Sequence, residues 1–180
     1  MRKIKQSKHI IFDSGDGGLN VVKEIRKQGL KGHFLYVNDS KNAPYGNLSN
    51  KKINKLTIRK LKEVEKEVEF KTIILACNTV SFLAKKQLEE IFGVNVYDIA
   101  TFTIKLAKEN YPASILSTAA SHEIITKEFN QKSIPCNTFA SYIETKNPEK
   151  LNISKDDLVY SELCKHSFEE SNIILGCTHF

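Results

Sequence analysis

The sequence predicts an α/β protein made of two similar three-layer halves, with mainly parallel sheets and a cleft between them. Short apolar runs of strand length alternate with stretches of helical period along the 180 residues. A near-duplicate unit also stands at two places, KTIILACNT at Lys71–Thr79 and NIILGCTH at Asn172–His179, with its cysteines 100 positions apart. Each copy reads as a buried strand that delivers a thiol at its carboxyl end, where open α/β sheets bind ligands. Finally, a glycine-rich turn, Asp13-Ser14-Gly15-Asp16-Gly17-Gly18, follows the first apolar run at once. Such a turn lets backbone approach a ligand closely, although it fits neither the phosphate-loop nor the dinucleotide spacing.

The elements follow in order. His9–Phe12 reads as the first strand, and Leu19–Lys27 as a helix with Leu19, Val22 and Ile25 on one face, closed by Gly29 and Gly32. His33–Val37 is a second strand, followed by a polar loop over Asn38–Asn47. Ser49–Phe70 has the spacing of a long helix, with Ile53, Leu56, Leu61, Val64 and Val68 on its buried side. Strand Thr72–Ala76, a helix from Val80 to Ile91 ended by Gly93, and strand Val94–Tyr97 complete a first domain over residues 1–97. The second domain, 98–180, opens with a helix over Thr101–Asn110 and a strand over Ala113–Leu116. A helix to Asn130, a short strand over Cys136–Ala140 and a loop over Ser141–Pro148 come next. A helix capped by Ser154 and reaching Glu170 then leads to the last strand, Ile173–Gly176.

Composition narrows the classes. Hydrophobic and charged contents of 41% and 27% are those of a soluble globular chain, and no run is long enough to span a bilayer. The apolar stretch near the N-terminus is too short for a secretory signal, so a cytoplasmic setting is expected. The net charge of +6 comes mainly from lysines interleaved with glutamates over Lys51–Lys66, a solvated helix face without clustered arginines or stacking aromatics. Nucleic acid and membrane are therefore not expected partners. The four cysteines form no CxxC pair, which argues against a metal site. Cys136 and Cys164 read as small buried hydrophobes, whereas Cys77 and Cys177 each head a polar triplet at a strand end.

Four motifs taken together resemble glutamate racemase. They are Phe12-Asp13-Ser14-Gly15 with Gly17-Gly18-Leu19, Pro44-Tyr45-Gly46, Ala76-Cys77-Asn78-Thr79, and Gly176-Cys177-Thr178-His179, in the family's order and at compatible spacing. The resemblance runs from His9 to Phe180. It implies two α/β domains with the active site between them, no cofactor, and interconversion of L- and D-glutamate, the D-isomer serving cell-wall peptidoglycan. It casts Cys77 and Cys177 as the catalytic cysteines, Asp13 as the carboxylate beside the first and His179 as the imidazole beside the second. Glu144 falls in a segment similar to the one whose glutamate supports that histidine. Ser14, Tyr45, Gly46, Asn78, Thr79, Ser121 and Thr178 fall on substrate-binding positions. A small-molecule substrate and a homodimer are the expected partners.

The chemistry wants these residues. Inverting an α-carbon without a cofactor needs a base on one face and an acid on the other, with roles exchanged in reverse. A thiol suits both tasks because its ordinary pKa lies not far above operating pH. Asp13 and His179 could each assist the neighbouring sulfur, with Glu144 fixing the histidine's tautomer.

Several positions depart from the family pattern. Asp16 stands where a small apolar residue is usual, placing a second carboxylate near a dianion site. Asp98-Ile99-Ala100 lacks the expected proline and glycine, and Ser117 replaces a glycine. Family members also continue past the second cysteine motif with a segment that covers the second thiol. A fragment, a degenerate remnant and a short form completed by a partner are three readings of that difference. Alternative functions are a racemase for another amino acid such as aspartate, and a catalytically silent binding module. Exchange of the substrate α-proton separates enzyme from module.

Overall fold

The computed structural model describes residues 4–136, 138–145, 161, 163–166, 168 and 172–180. Strand β1 (Ile4–Asp13) is followed by helix α1 (Leu19–Lys27), β2 (Phe34–Asn38), a 3₁₀ turn at Tyr45–Asn47, and α2 (Asn50–Glu67). Then come β3 (Val68–Leu75), α3 (Asn78–Phe92), β4 (Asn95–Asp98), α4 (Ile99–Glu109), β5 (Ala113–Ser117), α5 (Ala119–Lys127), β6 (Lys132–Pro135), α6 (Phe139–Thr145) and β7 (Asn172–Leu175).

The strands form two wholly parallel sheets, ordered β2-β1-β3-β4 and β6-β5-β7. The predicted α/β architecture is therefore present, with one sheet on each side of the β4–α4 connection. Parallel pairing requires helical crossovers, which supply the covering layers. The larger core gathers Ile10, Phe12, Ile53, Leu61, Ile73, Leu75, Val80 and Leu88 between the first sheet and helices α2 and α3. Smaller clusters centred on Ile115 and on Leu116 serve the two faces of the second sheet. Among the described residues, no helix is long and apolar enough to cross a membrane.

Besides shifts at element ends, such as β1 beginning at Ile4 rather than His9 and α5 ending at Lys127 rather than Asn130, three assignments differ from the sequence reading. Residues 68–70 belong to β3, not to the preceding helix. Val68 continues the i, i+4 series from Val64, but Val68 and Phe70 are buried while Glu69 and Lys71 are exposed, the period of a strand. Pairing of Ile4 with Val68 and Lys8 with Phe70 extends the sheet to meet them. Second, β6 runs over Lys132–Pro135 rather than Cys136–Ala140. As an edge strand among the described residues it tolerates Pro135, which cannot donate to a ladder. Third, Phe139–Thr145 forms helix α6 where a loop was expected over Ser141–Pro148; Phe139 anchors it, packing edge-on against Phe180 at 5.2 Å. Glu144 thus lies in a helix, although its side chain is outside the described residues, as is most of the predicted Ser154–Glu170 helix. Cys136 is buried as expected, but Cys164 is exposed, which overturns its reading as a buried hydrophobe.

Candidate active site

The carboxyl ends of four strands converge. β1 ends at Asp13 and β3 leads into Cys77, while β5 leads into Thr118 and β7 into Cys177. Asp13 is wholly buried because it ends a central strand under the α1 turn, and its Oδ1 accepts from the Gly15 N–H at 2.9 Å. Its Oδ2 accepts from the Thr178 hydroxyl at 3.0 Å, a bond spanning 165 residues of sequence. The Asn20 side chain donates to the Thr178 carbonyl at 3.5 Å. Glycine at position 17 permits this approach, since a Cβ there would lie 2.8 Å from the Thr178 hydroxyl. The two cysteine motifs therefore meet through Asp13 and Thr178.

A second bridge is made of hydroxyls. Thr79 and Thr118 lie 3.0 Å apart, Thr118 and Ser121 3.1 Å apart, and the Ser121 hydroxyl donates to Thr79 at 3.4 Å. Thr118 also packs against Gly46, whose missing Cβ would sit 2.7 Å from the threonine methyl. Sequence reasoning missed Thr118. Its signal was available, for it occupies the N-cap of α5 at a strand end, as Cys77 does for α3.

Cys77 is buried and lies 3.5 Å from the Ser14 hydroxyl. Burial, reinforced by the Asp13 carboxylate, pushes its thiol up to about 11, against opposing bonds from Ser14 and the backbone near Val80. Cys77 is accordingly a protonated thiol at neutral pH. Cys177 has its sulfur 3.7 Å from His179 Nδ1. Asn78 and Thr79 are buried at the first turn of α3; the Asn78 Nδ2 donates to Thr103 at 3.4 Å, and its Oδ1 has no hydrogen-bond partner among the described residues.

Tyr45 departs from a simple ligand role. Its ring is fully buried and its hydroxyl donates to Asp39 at 2.7 Å, while Asn42 donates to both Asp39 oxygens. Burial and the Asp39 carboxylate push the phenol's pKa up. The phenol thus anchors its loop and sets the backbone at Gly46. Asp16 is exposed and accepts from Asn38 at 2.9 Å, so it faces solvent. Ser117, in the glycine's place, is buried with its hydroxyl 2.8 Å from that of Ser133. No cluster of three or more metal-ligating side chains occurs among the described residues.

Comparison with known proteins gives a consistent picture. No protein-family model matches the chain. It is 33% identical over 183 residues to the glutamate racemase of Fusobacterium nucleatum, covering 94% of this chain and 68% of that protein. To the glutamate racemase of Buchnera aphidicola from Acyrthosiphon pisum (strain 5A) it is 29% identical over 184 residues, covering 95% and 70%. The crystal structure of the Francisella tularensis glutamate racemase in complex with D-glutamate superposes with a TM-score of 0.80 at 30% identity, covering 97% of this chain and 69% of the other. The Campylobacter jejuni enzyme gives 0.82 at 25% identity, covering 96% and 73%. On sequence and architecture alike, the chain belongs to the glutamate racemase family.

Proposed function

We propose that the protein is an isomerase interconverting L- and D-glutamate by proton transfer between two thiols, with the D-isomer destined for peptidoglycan. The single observation that carries the mechanism is the convergence of both cysteine motifs on Asp13, through the 3.0 Å Thr178–Asp13 bond. In one direction Cys177, assisted by His179, removes the α-proton, and Cys77, held as a thiol by its buried setting, returns one from the opposite face. In the other direction the roles exchange, with Asp13 beside Cys77. Glu144 supports His179 in the same proposal, carried by the resemblance alone.

Substrate contacts follow from the strand ends. The Ser14 and Thr79 hydroxyls and the Gly46 backbone offer donors to the two carboxylates, and the Ser121 and Thr178 hydroxyls join them when a substrate carboxylate replaces their present acceptors, Thr79 and Asp13. The buried Asn78 Oδ1 suits the ammonium group, which supplies a donor to an acceptor that otherwise has none among the described residues. Residues 1–97 and 98–180 act as two domains, each holding one sheet and one thiol. A homodimer and a cytoplasmic setting belong to the same proposal.

Incubation with L-glutamate in deuterated water tests this. Incorporation of deuterium at the α-carbon together with loss of optical rotation is expected. A folded sample that does neither would reject the enzyme in favour of a silent binding module, and faster reaction with aspartate would reassign the substrate.

A further inference from the structure

Outside the site, the Asp98 carboxylate accepts three hydrogen bonds. The residue ends β4 and caps α4, so it sits where the chain crosses from the first sheet to the second. Its Oδ1 accepts from the Thr101 N–H at 2.7 Å, and its Oδ2 accepts from the Thr101 hydroxyl at 2.9 Å and from Lys85 Nζ at 2.6 Å. Its side chain is 4% exposed and that of Lys85 38%. Burial alone would raise the carboxyl's pKa, but the bonds from Lys85 and Thr101 outweigh it and hold the group below the usual carboxylate range.

The placement of this pair gives it leverage. Lys85 lies on α3, whose first residues follow Cys77. Helix α4, started by Asp98, packs on β5 and on β7, the strand that leads to Cys177. Between the two helices the second polar tie is Asn78 to Thr103, close to the thiol. Beside Lys85 and Asp98 a cavity of about 510 Å³ opens, lined also by Lys86, Glu89 and Phe129. The cavity leaves part of the junction unfilled, Phe82 of α3 packs against the cluster that holds Ile104 and Ala107 of α4, and the polar bonds add direction to that contact.

We infer that the Lys85–Asp98 pair is the joint that sets the Cys77 helix against the strand bearing Cys177, making both of them positioning residues for the proton transfer. The inference rests on the proposed two-thiol reaction, but its test has an arm independent of activity. Lys85→Met removes the charge and keeps the stem, Asp98→Asn keeps an acceptor for the Thr101 N–H, and Lys85→Arg preserves the pair. In the first two variants, amide hydrogen exchange in residues 13–18 and 176–180, which the Asp13–Thr178 contact joins, should accelerate by about threefold or more. Their kcat for glutamate should fall about tenfold with KM changed less than about threefold, since small misplacements act on the reacting geometry. Lys85→Arg should restore both readouts. Unchanged exchange in both segments, in either variant, overturns the joint even if the melting temperature drops, because the pair would then be a stabilising bridge only. Lys85→Gln repeats the measurement if Lys85→Met fails to fold. An inactive parent protein with accelerated exchange in the variants would reject the racemase reading and keep the joint.

Discussion

The two cysteine units are nearly the same sequence in two different settings. In the first, β3 lies between β1 and β4, and Ile73 and Leu75 are fully buried. In the second, β7 is an edge strand paired only with β5 among the described residues, and the equivalent Ile173 and Leu175 are 46% and 55% exposed. The thiols differ accordingly. Cys77 heads a 15-residue helix, touches Ser14 and is pushed up to about 11, whereas Cys177 is followed by a turn that brings His179 to 3.7 Å. Like motifs need not give like groups. Burial on both faces makes the first unit a rigid holder of a thiol whose proton is bound tightly, while the second carries an imidazole two residues along.

The largest effect should come from removing either sulfur. Cys77→Ala and Cys177→Ala are each expected to lower racemisation by at least about a hundredfold, read by polarimetry from either enantiomer. Retention of full activity by one variant would break the symmetry between the units and the two-thiol scheme with it.

Packing should separate the units next. Leu75→Ala is expected to cost about 2–5 kcal/mol in urea unfolding, and Leu175→Ala no more than about 1 kcal/mol. Equal losses would mean that β7 is covered to the same degree in solution as β3.

Alkaline pH should then report the burial of Cys77. The Cys77 thiol titrates at about 11 in the fold against its ordinary 9.0, so the folded protein binds that proton more tightly. The resulting stability is complete below pH 9.0 and is lost as the pH rises through about 11, a decline of up to about 3 kcal/mol. In Cys77→Ala that part of the slope of stability against pH should disappear, whatever the absolute stability of the variant. An unchanged slope would show that the burial of Cys77 does not govern its proton.

The smallest effect belongs to Asp16. Because it is exposed and held by Asn38, Asp16→Ala should shift stability by less than about 0.5 kcal/mol and leave KM for glutamate within about twofold. A marked fall in KM would place its charge within reach of the substrate.

Much of the site was legible because its chemistry is local. Cys77, Asn78 and Thr79 are contiguous at a strand end, as are Asp13 and Ser14, and motif order placed them without coordinates. The α/β class followed from alternating periods for the same reason. What escaped had no local signature. The start of β3 at Val68 satisfied helical and strand spacing equally, and only its pairing with β1 decided between them. Asp39 looked like one more polar residue in a loop until Tyr45 and Asn42 were seen to donate to it. Thr118 and Lys85 act on residues 39 and 13 positions away, respectively, a relation that spacing within a helix or strand does not encode.

The sequence by itself determined most of the strand-and-helix succession up to β5, the family, and the delivery of two thiols to strand ends, since each depends on neighbours within a few residues. Tertiary structure alone decided which unit is interior and which is an edge among the described residues, that Asp13 is clasped by Thr178, and that Cys77 holds its proton more tightly than an ordinary thiol. Burial and charge proximity are set by what the fold brings through space, and two nearly identical peptides can meet opposite surroundings there.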